Sequence, residues 1–493
     1  MLFPTLDFGI FFLAVFAIAW ELKDRPEGRK TFLVAASYFF YGYWDWRFAG
    51  LLAASSLINY AAGRLVTVAS SDRDKRVLVA IAVAINLGIL GFFKYYGFFL
   101  EQLAELLAQG GMVRDLPFLE IILPIGISFF TFQGISYVVD VYRKEIPAEE
   151  NPLNVFLYIS FFPQLVAGPI VRAADFLPQL KSEPQLDRQM VAKGILLILL
   201  GLFKKMVIAN YLATLLVDDV FFAPDAYSGP DLLLAVYGYA IQIYCDFSGY
   251  SDIAIGVAAL LGYHFKANFL QPYRSASLRE FWRRWHISLS SWLRDYLYKP
   301  LGGSRHGTVK TYRNVMITML LGGLWHGANW TFLIWGAIHG VALVVERMVL
   351  AIVPAPGAST LVAGDSFGGT VKAGWGGGAG RDAFARALGV LITFNVVCLA
   401  WIFFRSESLD YALLYLEGLA DWSGPVEMAT PFLVALVAVS LASHFLPENM
   451  MPGAISWLQD RSAITLGAVL GFGILLIWAI APEGVAPFIY FQF

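Results

Sequence analysis

The chain has 493 residues, 58% hydrophobic and only 15% charged, with a mean hydropathy of +0.63 and a formal net charge of −2. Soluble domains carry about 25% charged and about 45–50% apolar residues, so this chain lacks the polar surface to clothe itself in water and must face lipid. The charge balance excludes a global nucleic-acid signature, and Cys245 and Cys398, far apart and without CxxC spacing, exclude a disulfide framework and a cysteine metal site and read as packing residues.

The first apolar run is Phe8 to Trp20. Ala17-Ile18-Ala19 resembles a signal-peptidase site, but Asp7 precedes the run while Lys23, Arg25, Arg29 and Lys30 follow it. A secretory signal has its basic region first. The run is therefore expected to be a retained first transmembrane helix with its N-terminus outside. Further candidate spans fall near 31–45, 47–66, 77–99, 118–142, 153–170, 190–217, 231–262, 312–328, 329–352, 384–404, 430–447 and 462–482. A spanning helix needs about 20 apolar residues, so the expected fold class is all-α: a polytopic integral membrane protein with roughly 10–12 transmembrane helices and re-entrant or interfacial helices besides.

Lys and Arg placement sets the orientation. The basic loop 22–30 and the cluster Arg73, Lys75 and Arg76 are separated by two helices joined at Trp44-Asp45-Trp46, so both loops fit the cytoplasmic side and the two tryptophans the outer aromatic belt. A crossing at 77–99 then puts Glu101 to Asp115 outside, and the next returns Arg143 and Lys144 to the cytoplasm. Phe161-Phe162-Pro163-Gln164-Leu165-Val166-Ala167-Gly168-Pro169-Ile170-Val171-Arg172 reads as a broken membrane segment, tolerable at membrane depth only where it lines protein or a cavity.

Two carboxylates lie in the apolar run Tyr244-Cys245-Asp246-Phe247-Ser248-Gly249-Tyr250-Ser251-Asp252. They need partners or must be neutral. Pairing with downstream arginines as a clamp, binding of substrate hydroxyls and a proton path are all open. The densest basic region follows, Lys266 to Arg313, where Phe281, Trp282, Trp285, Trp292, Tyr296 and Tyr298 interleave with the cations. Such a mixture suits a helix in the membrane interface, aromatic face toward acyl chains and cationic face toward headgroups. A polyanionic ligand such as the phosphates of a coenzyme-A thioester is the sharper reading.

Of six histidines, His326 is the most informative, in Leu321-Gly322-Gly323-Leu324-Trp325-His326-Gly327-Ala328-Asn329-Trp330. An ionisable group within a membrane segment is a functional candidate, and an imidazole can take and return a proton during turnover. Gly323 and Gly327 stand four apart, as do Gly336 and Gly340, a spacing that permits close helix packing. His286, in Phe281-Trp282-Arg283-Arg284-Trp285-His286-Ile287-Ser288, is the second candidate. His339 falls thirteen residues after His326, about 220° around an ideal helix, so the two cannot share a face unless the helix breaks, and His339 is expected to be structural. His306 is expected to be solvated, and His264 and His444 have no distinctive company. Residues 354–380 read as a flexible Gly/Ala/Pro linker. No internal repeat is evident, which disfavours transporters built from two related halves, and no P-loop, HExxH, GxSxG or Rossmann glycine pattern occurs in a credible context.

Taken together, the runs Phe161 to Arg172 and Tyr244 to Asp252, the run Phe281 to His286 with Leu301-Gly302-Gly303, and Trp325-His326-Gly327 resemble the membrane-bound O-acyltransferases, most nearly the bacterial alginate O-acetyltransferase type. The resemblance is densest from Leu123 to Arg347, and Pro487 to Phe493 is also similar. It implies tilted helices ringed around a central funnel, an essential histidine at His326 and a second functional position at His286. It also implies a multi-pass protein of the bacterial inner membrane. Such a protein takes acetyl from a cytoplasmic donor, with acetyl-CoA expected, and presents it to a periplasmic partner, an SGNH-like acetyltransferase or a polysaccharide secretion complex. No permanently bound cofactor, metal or nucleic acid is expected; membrane lipid is. On this reading Arg283 and Arg284 would meet the donor's phosphates, Asp246 and Asn329 would lie on the substrate side, and Asn329, Trp325 and the Arg283/Arg284 pair are candidate oxyanion donors. The implied organisation is N-terminal transmembrane helices at 1–117, the catalytic core at 118–350, a flexible loop at 351–383 and C-terminal transmembrane helices at 384–493. The alternatives are a proton-coupled transporter using Asp246, Asp252 and the histidines as a relay, and a non-catalytic scaffold.

Overall fold

Helices begin where the sequence supplies caps. In the computed structural model, which describes residues 1–112, 119, 121–352, 379–484 and 488–489, no strand occurs among the described residues. The expected linker therefore lies mostly outside them. Thr5 accepts from Phe8 N to open α1 (Leu6–Glu21), proline starts α2 (Pro26–Gly42), and Asp45 accepts from Arg47 N to open α3 (Trp46–Val68). The Trp44-Asp45-Trp46 turn is thus a cap, with both tryptophans exposed. Among the described residues, five helices are long and apolar enough to cross a membrane: α3, α4 (Asp72–Gln109), Trp330–Ala351, Ala383–Arg405 and Ala463–Ile480. The other apolar helices are shorter or more interrupted, and the expected spans map onto helices in order along the described chain.

Packing divides the chain into two units. The first comprises residues 1–202, 250–266 and 454–473. Here Arg29 of the first basic loop turns inward: its guanidinium donates to Tyr263 Oη (2.9 Å), Leu261 O (2.6 Å) and Ala19 O (3.1 Å). Asn59 of α3 and Asn86 of α4 exchange amide hydrogen bonds at 3.0 and 3.2 Å, which satisfies both side chains at depth. The broken segment behaves as its prolines predict. After α5 (Ile127–Tyr142) and α6 (Pro152–Ser160), Phe162 N donates to Ser37 Oγ (3.1 Å) and Val171 O accepts from Tyr158 Oη (3.0 Å). The irregular backbone is paid for by buried protein groups. Gly126, at φ 76°, opens α5 where a β-carbon would overlap the Leu165 carbonyl.

The second unit comprises residues 203–249, 267–453 and 474–493 and holds every residue of the candidate site. Its elements include the first part of α7 (Gly229–Leu260), α8 (Leu278–Arg284), α9 (Ile287–Leu293), α10 (Thr308–His326), α11 (Trp330–Ile352) and α12 (Ala379–Arg405). The basic region departs from expectation. Its aromatic stretch is two short helices, α8 and α9, followed by a widened helical turn at Arg294–Tyr298, and Phe281, Trp282, Trp285, Trp292 and Tyr298 are buried in protein instead of facing acyl chains. A bend at Trp285–His286 splits the amphipathic pattern, and rings turned inward find other rings to pack on, notably Trp401 and Trp335.

Candidate active site

The α10–α11 hairpin is built on glycine. A β-carbon on Gly323 would overlap the Phe332 carbonyl, one on Gly336 the Met319 carbonyl, and one on Gly327 the Phe332 ring. Side chains at these positions would force the backbones apart. The helix breaks at Gly327–Asn329, where Asn329 Oδ1 accepts from Thr331 N (3.0 Å) to cap α11. His326 is consequently the last residue of α10, buried at 3% exposure.

His286 is positioned differently. Ser277 Oγ accepts from Glu280 N (3.1 Å) and Glu346 of α11 accepts from Leu278 N (2.7 Å), fixing the start of α8. The chain then turns through His286 at φ 42°, a left-handed conformation that L side chains rarely adopt and that tends to mark functional sites. Buried Asn268 holds the far side of the joint: its backbone oxygen accepts from Ile287 N (2.9 Å), and its side-chain oxygen from Ser288 N (3.1 Å) and Ser288 Oγ (2.9 Å). Asn268 carries no sequence signal of its own.

These two local structures bring together histidines that are distant in sequence. The His286 ring, fully buried, meets Phe247 edge-on at 4.6 Å between centroids and Trp325 at 6.1 Å. His326 meets the same Trp325 indole at 5.0 Å, Trp335 at 4.9 Å and Phe404 at 5.2 Å. One indole thus meets two imidazoles brought from different segments, among other aromatic rings.

The remaining expected residues are placed as follows. Asp246 forms a buried ion pair with Lys205, which sits on the widened helical turn Phe203–Ala209, and its other oxygen accepts from Ile489 N (2.8 Å). The clamp reading is realised, with a lysine and the C-terminal tail in place of the downstream arginines. Both carboxylate oxygens are engaged. Arg284 is bracketed by Glu280 (3.0 Å), Glu448 (3.4 Å) and Leu270 O (3.1 Å). Arg283 is the freer of the pair; its Nε has no hydrogen-bond partner among the described residues, and burial, then Arg279, lower its pKa. Asn329 donates to Glu407 O (3.0 Å) besides capping α11, so its amide is committed to the turn.

His339 lies beyond the helix break that the spacing argument left open. Because the helix breaks after His326, the angular argument for a single helix does not apply, and His339 packs on Trp335 at 4.9 Å, the ring that also meets His326. The capping signal at Asn329 could have revealed this. His444 is likewise buried, against Tyr244 (4.4 Å) and Tyr273 (5.0 Å), whereas His306 and His264 are exposed. Both cysteines are buried, as packing residues are.

The fold and site together are those of a helical membrane protein with two buried histidines against one indole. The sequence profile described as MBOAT, the membrane-bound O-acyltransferase family, matches residues 143–362. The chain is 36% identical to the "Probable alginate O-acetylase AlgI" of Azotobacter vinelandii, across 100% of both chains. It is 40% identical to the protein of the same description from Pseudomonas aeruginosa, over 84% of this chain and 73% of that one. It is 33% identical to the "Peptidoglycan O-acetyltransferase" of Helicobacter pylori, over 100% of this chain and 98% of that one. The chain belongs to the membrane-bound O-acyltransferase family and is an O-acyltransferase.

Proposed function

We propose that this enzyme moves acetyl from a cytoplasmic donor, acetyl-CoA, across the bacterial inner membrane for O-acetylation of an extracytoplasmic polysaccharide, with a periplasmic SGNH-like acetyltransferase or a secretion complex as its partner. The observation that carries the reading is the convergence of His286 and His326 on Trp325. Relatives described as acting on alginate and on peptidoglycan support a carbohydrate hydroxyl as the final acceptor. Alginate or another exopolysaccharide is the acceptor class we favour.

In this reading His326 takes the proton of the attacking hydroxyl as that oxygen bonds to the acyl carbon, then returns it to the leaving thiolate. His286 assists on the donor side, and Arg283 meets donor phosphates. A desolvated imidazole suits the base role because it stays neutral until the transfer begins. The comparisons lend no support to a transporter, and the engaged Asp246 weakens the relay that reading needs.

The test replaces the chromosomal copy with His326→Ala in a strain that acetylates its exopolysaccharide. Ester-linked acetyl should disappear from the polymer while the protein accumulates normally in the inner-membrane fraction. Unchanged acetylation by the variant would falsify the proposal.

A further inference from the structure

Four buried polar atoms beside His326 have no hydrogen-bond partner among the described residues: both ring nitrogens of His339 and the indole nitrogens of Trp335 and Trp282. None of the three side chains is more than 5% exposed. They form one run of touching rings that starts at the catalytic candidate. His326 meets Trp335 at 4.9 Å, Trp335 meets His339 at 4.9 Å, and Trp282 meets His339 at 5.0 Å and Trp335 at 5.8 Å. Phe281 stacks on His339 at 6.2 Å and Phe404 meets Trp335 at 5.3 Å, so the surroundings are aromatic and dry.

Native proteins leave few buried polar atoms unpaired, because each forfeits the bond it would make to water. Four in one nest call for an occupant. A neutral imidazole offers one donor and one acceptor, and an indole offers a donor only. The nest therefore presents three donors against one acceptor, a surplus matched by an oxygen with lone pairs. No carboxylate is among these rings. Neutral donors in apolar surroundings are the environment that stabilises charge developing on a carbonyl oxygen.

We infer that His339, Trp335 and Trp282 hold the carbonyl oxygen of the acyl group transferred at His326; this rests on the acyltransferase reading. In the step, the acceptor hydroxyl oxygen bonds to the carbonyl carbon of an acyl thioester and its proton passes to His326. The carbonyl π pair moves onto the oxygen held by the three donors. When that pair returns, the carbon–sulfur bond breaks and the thiolate takes the proton from His326. His339 is then a catalytic residue, one that touches a reacting atom.

The test uses the purified full-length protein with His339→Phe and Trp335→Phe, which keep a ring and remove the N–H, and His339→Gln, which restores an amide donor. Acetyl transfer from acetyl-CoA should fall on the order of 100-fold in the two phenylalanine variants, with the glutamine variant recovering much of the loss. Affinity is also compared for two non-transferable probes, acetonyl-dethia-CoA, which keeps the carbonyl, and S-ethyl-CoA, which lacks it. The wild type should favour the ketone about tenfold, and the phenylalanine variants should bind the two alike. Packing alone would leave that ratio unmoved. Should His339→Phe fail to accumulate, Trp335→Phe and Trp282→Phe carry the same comparison. An unchanged ratio in the variants, no preference in the wild type, or no binding of either probe overturns the inference. If His326→Ala abolishes transfer while His339→Phe and Trp335→Phe transfer normally, this inference alone fails; if His326→Ala transfers normally, the acyltransferase reading fails with it.

Discussion

His326 and His286 reach the same indole by opposite means. His326 ends a helix whose partner lies against it at backbone distance, because Gly323, Gly327 and Gly336 leave no β-carbons to hold them apart. His286 sits at a left-handed joint among large rings, Phe247, Phe269 and Trp325, with Asn268 fastening the joint from behind. The first imidazole is placed by removing side chains and the second by piling them up. The difference is one of support: a hairpin closed by backbone contact holds His326 in one place, whereas the position of His286 depends on many neighbouring rings.

That difference is most exposed to mutation of the histidines themselves. His326→Ala should reduce acetyl transfer by about 10²–10⁴-fold, the range expected when a general base is removed. His286→Ala should cost less, on the order of 10–100-fold. Steady-state transfer by purified variants of equal thermal midpoint gives the comparison. Equal losses would mean that the two imidazoles act as one unit and that their different settings carry no functional distinction.

The next largest effect concerns what stands behind His286. Phe247, its edge-on partner, follows Asp246, whose carboxylate is held by Lys205 and the tail. Lys205→Met strands a buried carboxylate and should cost about 3–5 kcal/mol of stability, whereas an apolar double replacement, Lys205→Met with Asp246→Leu, should recover most of it. Thermal unfolding in detergent measures both. If the double variant is no better than the single, the loss on removing Lys205 does not come from a stranded buried carboxylate.

Glycine positions sharpen the other side. Gly336→Leu should destabilise by about 1–3 kcal/mol or more, since the residue would overlap the Met319 carbonyl and cores do not absorb such overpacking. Gly91→Ala, on α4 with open space around its missing β-carbon, should be neutral or slightly stabilising. Similar midpoints for the two would show that the α10–α11 hairpin is not closed by backbone contact.

Much of this arrangement was legible in the sequence, for physical reasons that differ by residue. Membrane residence followed from composition, and helix order followed from apolar runs separated by prolines, capping residues and charge. The close α10–α11 approach could be read from glycine spacing because small residues act locally. The convergence of His286 with His326 could not, since it depends on the left-handed turn at His286, a residue type that gives no hint of positive φ. Nor could the inward rotation of Phe281, Trp282 and Trp285, because an aromatic and cationic pattern is satisfied equally by lipid or by other rings. The partner of Asp246 was hidden for a related reason: Lys205 lies in an apolar stretch, and pairing at a distance leaves no periodicity to read.

The smallest predicted effect asks whether the His286 joint is set by its backbone or by its rings. His286→Ala and His286→Gly both remove the imidazole and leave voids against Phe247 that differ by one methyl group, so most of the loss of packing cancels between them. What differs is the cost of holding φ at 42°: alanine pays the penalty for left-handed geometry and glycine does not. Against that, glycine loses more conformational freedom on folding, by roughly 0.5–1 kcal/mol. The left-handed penalty of about 1–2 kcal/mol is the larger of the two, so the glycine variant should unfold at a higher temperature than the alanine variant, by an amount on the order of 1 kcal/mol. The opposite ranking would mean that the joint relaxes to ordinary φ once the ring is gone. In that case the rings around His286 impose the turn, and the placement of this histidine is a packing effect from start to finish, in full contrast with the glycine-built seat of His326.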